Sequence, residues 1–393
     1  MTCAGNGAGL FLGVNPMLKI EKKIKGYAVC TADAQPASKA ENFVDDADRR
    51  LKIEGCPVPP TASLRWHKRP VTESGNPGFL YMVNSPEGKF AVFVTHIQNG
   101  TPLTGTPFEV WVNGEEAPRG LSDLARSLSI DMRSQDRAWL RRKLEALSKT
   151  RGEAFELTMP DGKIVRARSA VDAFARLVMY RCEELGAFSD EKLQDTPVID
   201  ALMSKREPKT TGDGSAGWYC DVENPATGDE FLLTLKESVL ENGQCRPFSV
   251  WLSGDYPSSL DGLAKSLSLD MRVAEPAWLA RKLSQLIDVS EQRGDFWAHV
   301  PGATDGKKAS YPSTVAYIAA VITHRFKVLG LFNDAGDAAV DSGVVQLHEV
   351  RQAREQSKVA STAGDCGECQ SVGSVFILDG CPTCSACGHS KCS

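Results

Sequence analysis

Two short apolar runs, residues 79–83 and 90–94, flank Pro86-Glu87-Gly88, an arrangement that predicts a β-hairpin. A third strand is expected over residues 108–112, closed by the turn pair Asn113-Gly114. Beyond it the period changes. Leu121, Leu124, Ala125, Leu128 and Met132 recur at the spacing of a helix with one buried face. Trp139, Leu140, Leu144 and Leu147 predict a second helix. A third opens at Ser169, with Asp172 three residues on as in a capping box, and stops at Gly186 in the C′ position. An antiparallel sheet with helices on one face follows, hence the α+β class.

The pattern then returns. Pro107-Phe108-Glu109-Val110-Trp111 recurs as Pro247-Phe248-Ser249-Val250-Trp251, and Leu128-Ser129-Ile130-Asp131-Met132-Arg133 as Leu267-Ser268-Leu269-Asp270-Met271-Arg272. Ala138-Trp139-Leu140 with Arg142-Lys143-Leu144 recurs as Ala277-Trp278-Leu279 with Arg281-Lys282-Leu283. Strands of the second copy are expected over residues 218–222, 231–235 and 248–252. The chain therefore reads as a tandem repeat of a small antiparallel-sheet-plus-helices domain, residues 63–190 and 213–332, joined by a linker over 191–212. Residues 1–62 read as a flexible N-terminal segment and 333–364 as a flexible linker, with a short helix expected over 344–359. Residues 365–393 form a cysteine-rich tail. Gly5-Asn6-Gly7-Ala8-Gly9 invites a nucleotide-loop reading, but no strand pattern precedes it and no βαβ pattern follows.

Composition narrows the class. Of 393 residues 42% are hydrophobic and 24% charged, which excludes a wholly disordered or collagen-like chain. The longest apolar run, residues 315–322, is too short to cross a bilayer. No secretory leader is read at the N-terminus, so a cytoplasmic location is expected. A net charge of −5 argues against a protein that coats nucleic acid. Cysteine changes the picture most: of 12 in the chain, six lie in the last 28 residues. In that setting clustered cysteines point to metal or redox chemistry rather than a secreted disulfide scaffold.

The tail runs Cys366-x-x-Cys369, eleven residues, Cys381-x-x-Cys384, then Cys387 and Cys392. Two Cys-x-x-Cys pairs on either side of Val375-Phe376-Ile377-Leu378 form a zinc-ribbon pattern, with each pair expected on a tight turn around a tetrahedral Zn²⁺. A segment this small cannot bury a core, so the metal is expected to hold it together. Cys366, Cys369, Cys381 and Cys384 make one ligand set; another uses Cys384 and Cys387 and leaves Cys381 spare. The terminal pair, Cys387 and Cys392, encloses His389 and Lys391, which favour thiolate, and is read as redox-active.

This tail closely resembles the C-terminus of adenosylcobalamin-dependent (class II) ribonucleotide reductases. The repeats, with Pro-Phe-Glu-Val-Trp-Val-Asn and Leu-Ser-Ile-Asp-Met-Arg, and the Lys68-Arg69-Pro70 approach to the first of them, look like the TSCPD accessory domain that precedes that tail. The resemblance implies that Cys387 and Cys392 shuttle electrons to a disulfide in a catalytic site and are restored by thioredoxin or a glutaredoxin-like reductant. It also implies that Cys366, Cys369, Cys381 and Cys384 hold zinc. The family's catalytic barrel is missing, so the chain would be the non-barrel subunit of a split enzyme of the ribonucleoside-diphosphate reductase type. Its partner would be a separate barrel subunit carrying the adenosylcobalamin. Duplication of the accessory domain departs from the single copy expected. The contrasting reading is a regulatory or binding protein with a structural zinc ribbon and no redox role. The acidic balance of the tail, with Glu368 and Asp379 against Lys391, makes direct nucleic-acid binding unlikely in either case.

Other residues carry a plainer reading beside a sharper one. Trp111, Trp251, Trp139 and Trp278 stand at repeat-equivalent positions and read as duplicated core packing, with a base-stacking platform as the alternative. Arg133 and Arg272 read as partners of Asp131 and Asp270, with a phosphate grip as the alternative. Arg141-Arg142-Lys143 reads as a solvated helix face. His67, His96, His299, His324 and His348 are scattered without metal spacing.

Overall fold

The computed structural model describes residues 59–339 apart from 190–192, 194–196, 211 and 241–242, together with Glu368, 375–378 and 381–384; of 102–103, 376–378 and 381–384 it describes the backbone alone. The chain is α+β, with seven helices and several small antiparallel sheets among the described residues. The expected hairpin is β1 (Gly78–Ser85) with β2 (Gly88–Asn99), and β3 (Thr101–Asn113) completes a sheet of order β1-β2-β3. Helices α1 (Leu121–Arg133) and α2 (Arg137–Leu147) follow, then a hairpin of β4 (Phe155–Thr158) and β5 (Ile164–Ala167), then α3 (Ala170–Glu184). Ser169 caps α3 by accepting from the Asp172 N–H at 3.1 Å, and Gly186 takes φ +66° just past its end.

After α4 (Pro197–Asp200) the same succession occurs again. It consists of β6 (Gly217–Asn224), β7 (Asp229–Val239), β8 (Cys245–Asp255), α5 (Leu260–Met271), α6 (Pro276–Leu286), β9 (Phe296–His299), β10 (Lys308–Tyr311) and α7 (Thr314–Val328). The β4–β5 and β9–β10 hairpins were not expected from the sequence. Each half has its own apolar core, where one face of its sheet meets its helices: Val92, Val94, Val110, Leu128 and Phe174 in the first, Leu233, Leu235, Val250, Leu267 and Ile318 in the second. No helix among the described residues is long and apolar enough to cross a membrane.

A third apolar cluster belongs to neither half alone. Ile130 and Trp139 from one half pack with Leu269 and Trp278 from the other, and Leu64, Val198 and Leu202 from the arms that precede β1 and β6 close it. Those arms are tied down by backbone hydrogen bonds at equivalent places: Arg65 N–H to Arg133 O at 2.9 Å, and Met203 N–H to Arg272 O at 2.8 Å. Helices α1 and α5 approach closely at Gly262, where an added Cβ would lie 2.8 Å from Val171 and 2.9 Å from Leu124.

At this junction lie four buried charges. Lys143 donates to Asp131 at 3.0 Å and to Asp270 at 2.7 Å; Lys282 stands 2.5 Å from Asp131 and 3.2 Å from Asp270. All four side chains have no solvent exposure. The Trp139 and Trp278 indole N–H groups donate to Asp131 and Asp270 at 2.8 and 2.9 Å, and Ser266 accepts from Lys143 at 3.0 Å. The expectations for these residues need correcting. Asp131 and Asp270 pair with Lys143 and Lys282, not with the neighbouring arginines, because helical geometry turns residues two apart to different sides. Lys143 is no surface residue; it shares the buried face of α2 with Trp139 and Leu147, four residues to either side. Burial alone would raise the Asp131 pKa, but Lys143 and Lys282 outweigh it and hold it below the ordinary value.

Two plus and two minus charges cancel, so removing one leaves a buried net charge. Lys143→Met is expected to cost about 3–5 kcal/mol of stability in urea unfolding followed by circular dichroism. Lys143→Met combined with Asp270→Leu, which restores neutrality, should cost less than Lys143→Met alone. A loss under about 1 kcal/mol in the single variant would contradict the arrangement.

Candidate functional site

Six residues were singled out by sequence as site residues. Cys366, Cys369, Cys387 and Cys392 lie outside the described residues. Cys381 and Cys384 bound β12 (Cys381–Cys384), which pairs antiparallel with β11 (Val375–Leu378) so that Leu378 faces Cys381 and Val375 faces Cys384. The second Cys-x-x-Cys is therefore an extended, paired strand and not the tight turn expected, because the ladder with β11 holds its backbone out. A donor set of four thiolate sulfurs, two of them at the ends of β12, suits Zn²⁺ in chemical kind. Among the described residues no group of three or more His, Cys, Asp or Glu side chains could hold a metal.

The described residues bring a different set together, on the outer face of the first sheet. Along β3, Val110 and Val112 point into the core, so Trp111 between them points out, and it is 42% exposed. Its counterpart Trp251 on β8 is 51% exposed. The expectation of core packing holds for Trp139 and Trp278 but fails for Trp111 and Trp251. The strand alternation carried that signal.

Beside Trp111 runs a groove of about 750 Å³, including the solvent at its mouth. Arg69 comes from the arm before β1, Arg126 and Arg133 from α1, and Ser284 and Asp288 from the far half, at and beyond α6. Ser129 fixes α1 to β3, accepting from Val110 N–H at 3.0 Å and donating to Val110 O at 3.0 Å. Ser268 repeats this bond with Val250 N–H at 2.9 Å. The recurring Leu-Ser-Ile-Asp-Met-Arg segment thus divides its work residue by residue. Leu128 and Met132 enter the core of their half, Ser129 grips the strand, Ile130 enters the junction, Asp131 joins the buried charges and Arg133 reaches the groove.

Glu109 lies two residues before Trp111 on β3 and meets Arg69 and Arg133. Its fully buried side chain receives two hydrogen bonds from Arg69, both 2.7 Å, while Arg133 stays 3.9 Å away. Burial would raise the Glu109 pKa, but hydrogen bonds from Arg69 and Trp111 outweigh it and set it below the usual carboxylate value. The Arg69 guanidinium also stands 6.0 Å from the centre of the Trp111 ring.

The second half carries the opposite polarity. Its arm supplies Glu207, which accepts from Lys236 at 2.8 Å, from the Trp251 indole at 3.2 Å and from Ser249 at 3.3 Å. Register makes the correspondence plain: Thr95 pairs with Glu109 on β2 and β3, and Lys236 with Ser249 on β7 and β8. In one half the strand holds the acid and the arm the base; in the other the signs are reversed. Sequence reasoning missed both ion pairs because each links an arm to a strand about 30–40 residues away.

Arg69→Gln tests the Glu109 pairing. Arg69 is half exposed, so its loss is expected to cost about 1–3 kcal/mol at pH 7. A carboxyl with a lowered pKa contributes stability above its ordinary value, and that contribution is lost as pH falls through the lowered one. The gap between wild type and Arg69→Gln in urea unfolding should therefore narrow toward pH 3.5. A gap equal at pH 7 and pH 3.5 would contradict it.

No protein-family model matches this chain, and no curated protein or solved structure matches it either.

Proposed function

We propose that the chain is the non-barrel component of a class II ribonucleotide reductase, supplying electrons to a separate catalytic subunit that carries the adenosylcobalamin. The observation that carries this reading is the spacing of the six tail cysteines: Cys366-x-x-Cys369, Cys381-x-x-Cys384-x-x-Cys387 and Cys392 at the chain end, behind two accessory domains. The β11–β12 hairpin supports the ribbon part, since hairpins bearing paired cysteines are what such zinc sites are built from. In the recurrence of β-β-β-α-α-β-β-α we read a duplicated TSCPD-like domain.

In this proposal Cys366, Cys369, Cys381 and Cys384 hold Zn²⁺, which orders the tail. Cys387 and Cys392 do the redox work. The thiolate of one attacks a disulfide on the catalytic subunit, and the other resolves the mixed disulfide. The active-site disulfide becomes two thiols while Cys387 and Cys392 become a disulfide, so two electrons and two protons pass to the partner. A thioredoxin-class dithiol then reduces the Cys387–Cys392 disulfide and is itself oxidised. Cytoplasmic conditions, which keep thiols reduced, suit this cycle.

Cys387→Ser and Cys392→Ser are each expected to abolish thioredoxin-dependent turnover by the reconstituted pair of subunits, with one zinc per chain retained. Thiol titration of the purified chain should find two rapidly reacting tail thiols beside that zinc. Full turnover in the double variant, with thioredoxin as sole reductant, would sink the proposal. Protection of all six tail thiols would favour a purely structural ribbon in a binding or regulatory protein.

A further inference from the structure

The groove beside Trp111 contains more positive charge than the chain itself satisfies. Arg69 is spent on Glu109 through two hydrogen bonds, and Glu109 is thereby spent as well. Among the described residues Arg126 makes one weak hydrogen bond, 3.4 Å to the Gln285 carbonyl, and its charge acts on Asp123 of the same helix. Arg133 is 12% exposed, its Nε has no hydrogen-bond partner among the described residues, and its nearest carboxylate is the already paired Glu109 at 3.9 Å. Burial and the charges of Arg281 and Arg69 push the Arg133 pKa down against the pull of Glu109. Asp288 is the one acidic residue among those named on the rim.

The second half differs at the arginine Nε. Arg272, the counterpart of Arg133, satisfies its Nε on the Ser268 carbonyl at 3.1 Å. Glu207, the counterpart of Arg69, places a carboxylate against the Trp251 indole, and burial pushes the Arg272 pKa down against the pull of Glu207, as it does that of Arg133 against Glu109. Each half thus sets one carboxylate beside its exposed tryptophan, Glu109 on the strand in the first and Glu207 on the arm in the second. In the first, Arg126 and Arg133 line the groove beyond the Arg69–Glu109 pair with no carboxylate of their own within 3.5 Å among the described residues.

We infer that the groove between α1, β3 and α6 binds a nucleoside phosphate, with the phosphates on Arg126 and Arg133 and the base against Trp111. Guanidinium groups suit phosphate because their fixed N–H forks match its oxygens. An exposed indole beside a cation suits a base of any identity. Since Ser284 and Asp288 come from the second half, binding would also draw on both halves. This inference does not rest on the reductase reading; it would stand if the tail carried no electrons.

The test is calorimetric titration of the full chain with ATP, GTP, CTP and UTP singly, with tripolyphosphate and adenosine as partial probes. At least one triphosphate should bind with one site per chain, more tightly than either partial probe. Arg133→Gln and Arg126→Gln should each weaken it about tenfold or more. Trp111→Ala should weaken the nucleotide and leave tripolyphosphate unchanged, while Arg272→Gln should leave the nucleotide unchanged. Arg126 makes little contact with the fold, so its variant guards against misfolding in Arg133→Gln. The inference is overturned by no binding of any triphosphate up to 1 mM, by equal weakening from Arg272→Gln and Arg133→Gln, or by tripolyphosphate binding as tightly as the nucleotide with Trp111→Ala without effect.

Discussion

Four charged side chains with no access to water fix how the two halves of this protein meet. Asp131 and Lys143 come from one half, Asp270 and Lys282 from the other, and each lysine reaches both carboxylates. Taking such groups out of water is expensive, and only mutual neutralisation with nearly every donor and acceptor occupied makes it tolerable. Neither half can satisfy this alone. With one aspartate and one lysine, a separated half would expose both to solvent together with the apolar faces of Ile130 and Trp139, or of Leu269 and Trp278. The charges also set register, because sliding α1 along α5 would leave a lysine between carboxylates it no longer touches. Gly262 permits the close approach this needs.

From that fixed junction the groove follows. α6 of the second half is held against α1 of the first, so Ser284 and Asp288 border a space whose other wall is Trp111, Arg126 and Arg133. Corresponding positions in the two halves differ where the junction does not constrain them. The buried Asp-Lys-Trp sets are retained in both, whereas the arm and strand charges are reversed between Arg69–Glu109 and Glu207–Lys236. Core and junction are built alike in the two halves, and the outer sheet face is where they differ chemically.

Much of this was legible in the sequence, for definite physical reasons. The strands, the long helices and the Ser169 cap were readable because alternation, helical period and capping are local. Asp131 and Lys143 were misread although the signal was present: Lys143 lies four residues from both Trp139 and Leu147, on the face that periodicity marks as buried, and Lys282 repeats it. Charge type was allowed to override period. Trp111 was misread in the same way, since the inward Val110 and Val112 leave it the outer face. The β4–β5 hairpin was signalled by Pro160-Asp161-Gly162 between short alternating runs. What could not be read was pairing across distance: no local rule places Arg69 on Glu109, or Lys143 on Asp270, 127 residues away.

The two halves form one cooperative unit through a shared buried ionic junction. Native-state hydrogen exchange of the full chain across a urea series measures this most directly. The slowest amides of α1 and α2 should open with the same free energy, and the same urea dependence, as those of α5 and α6. If one half opened several kcal/mol below the other, each with its own urea dependence, the halves would be independent domains in mere contact.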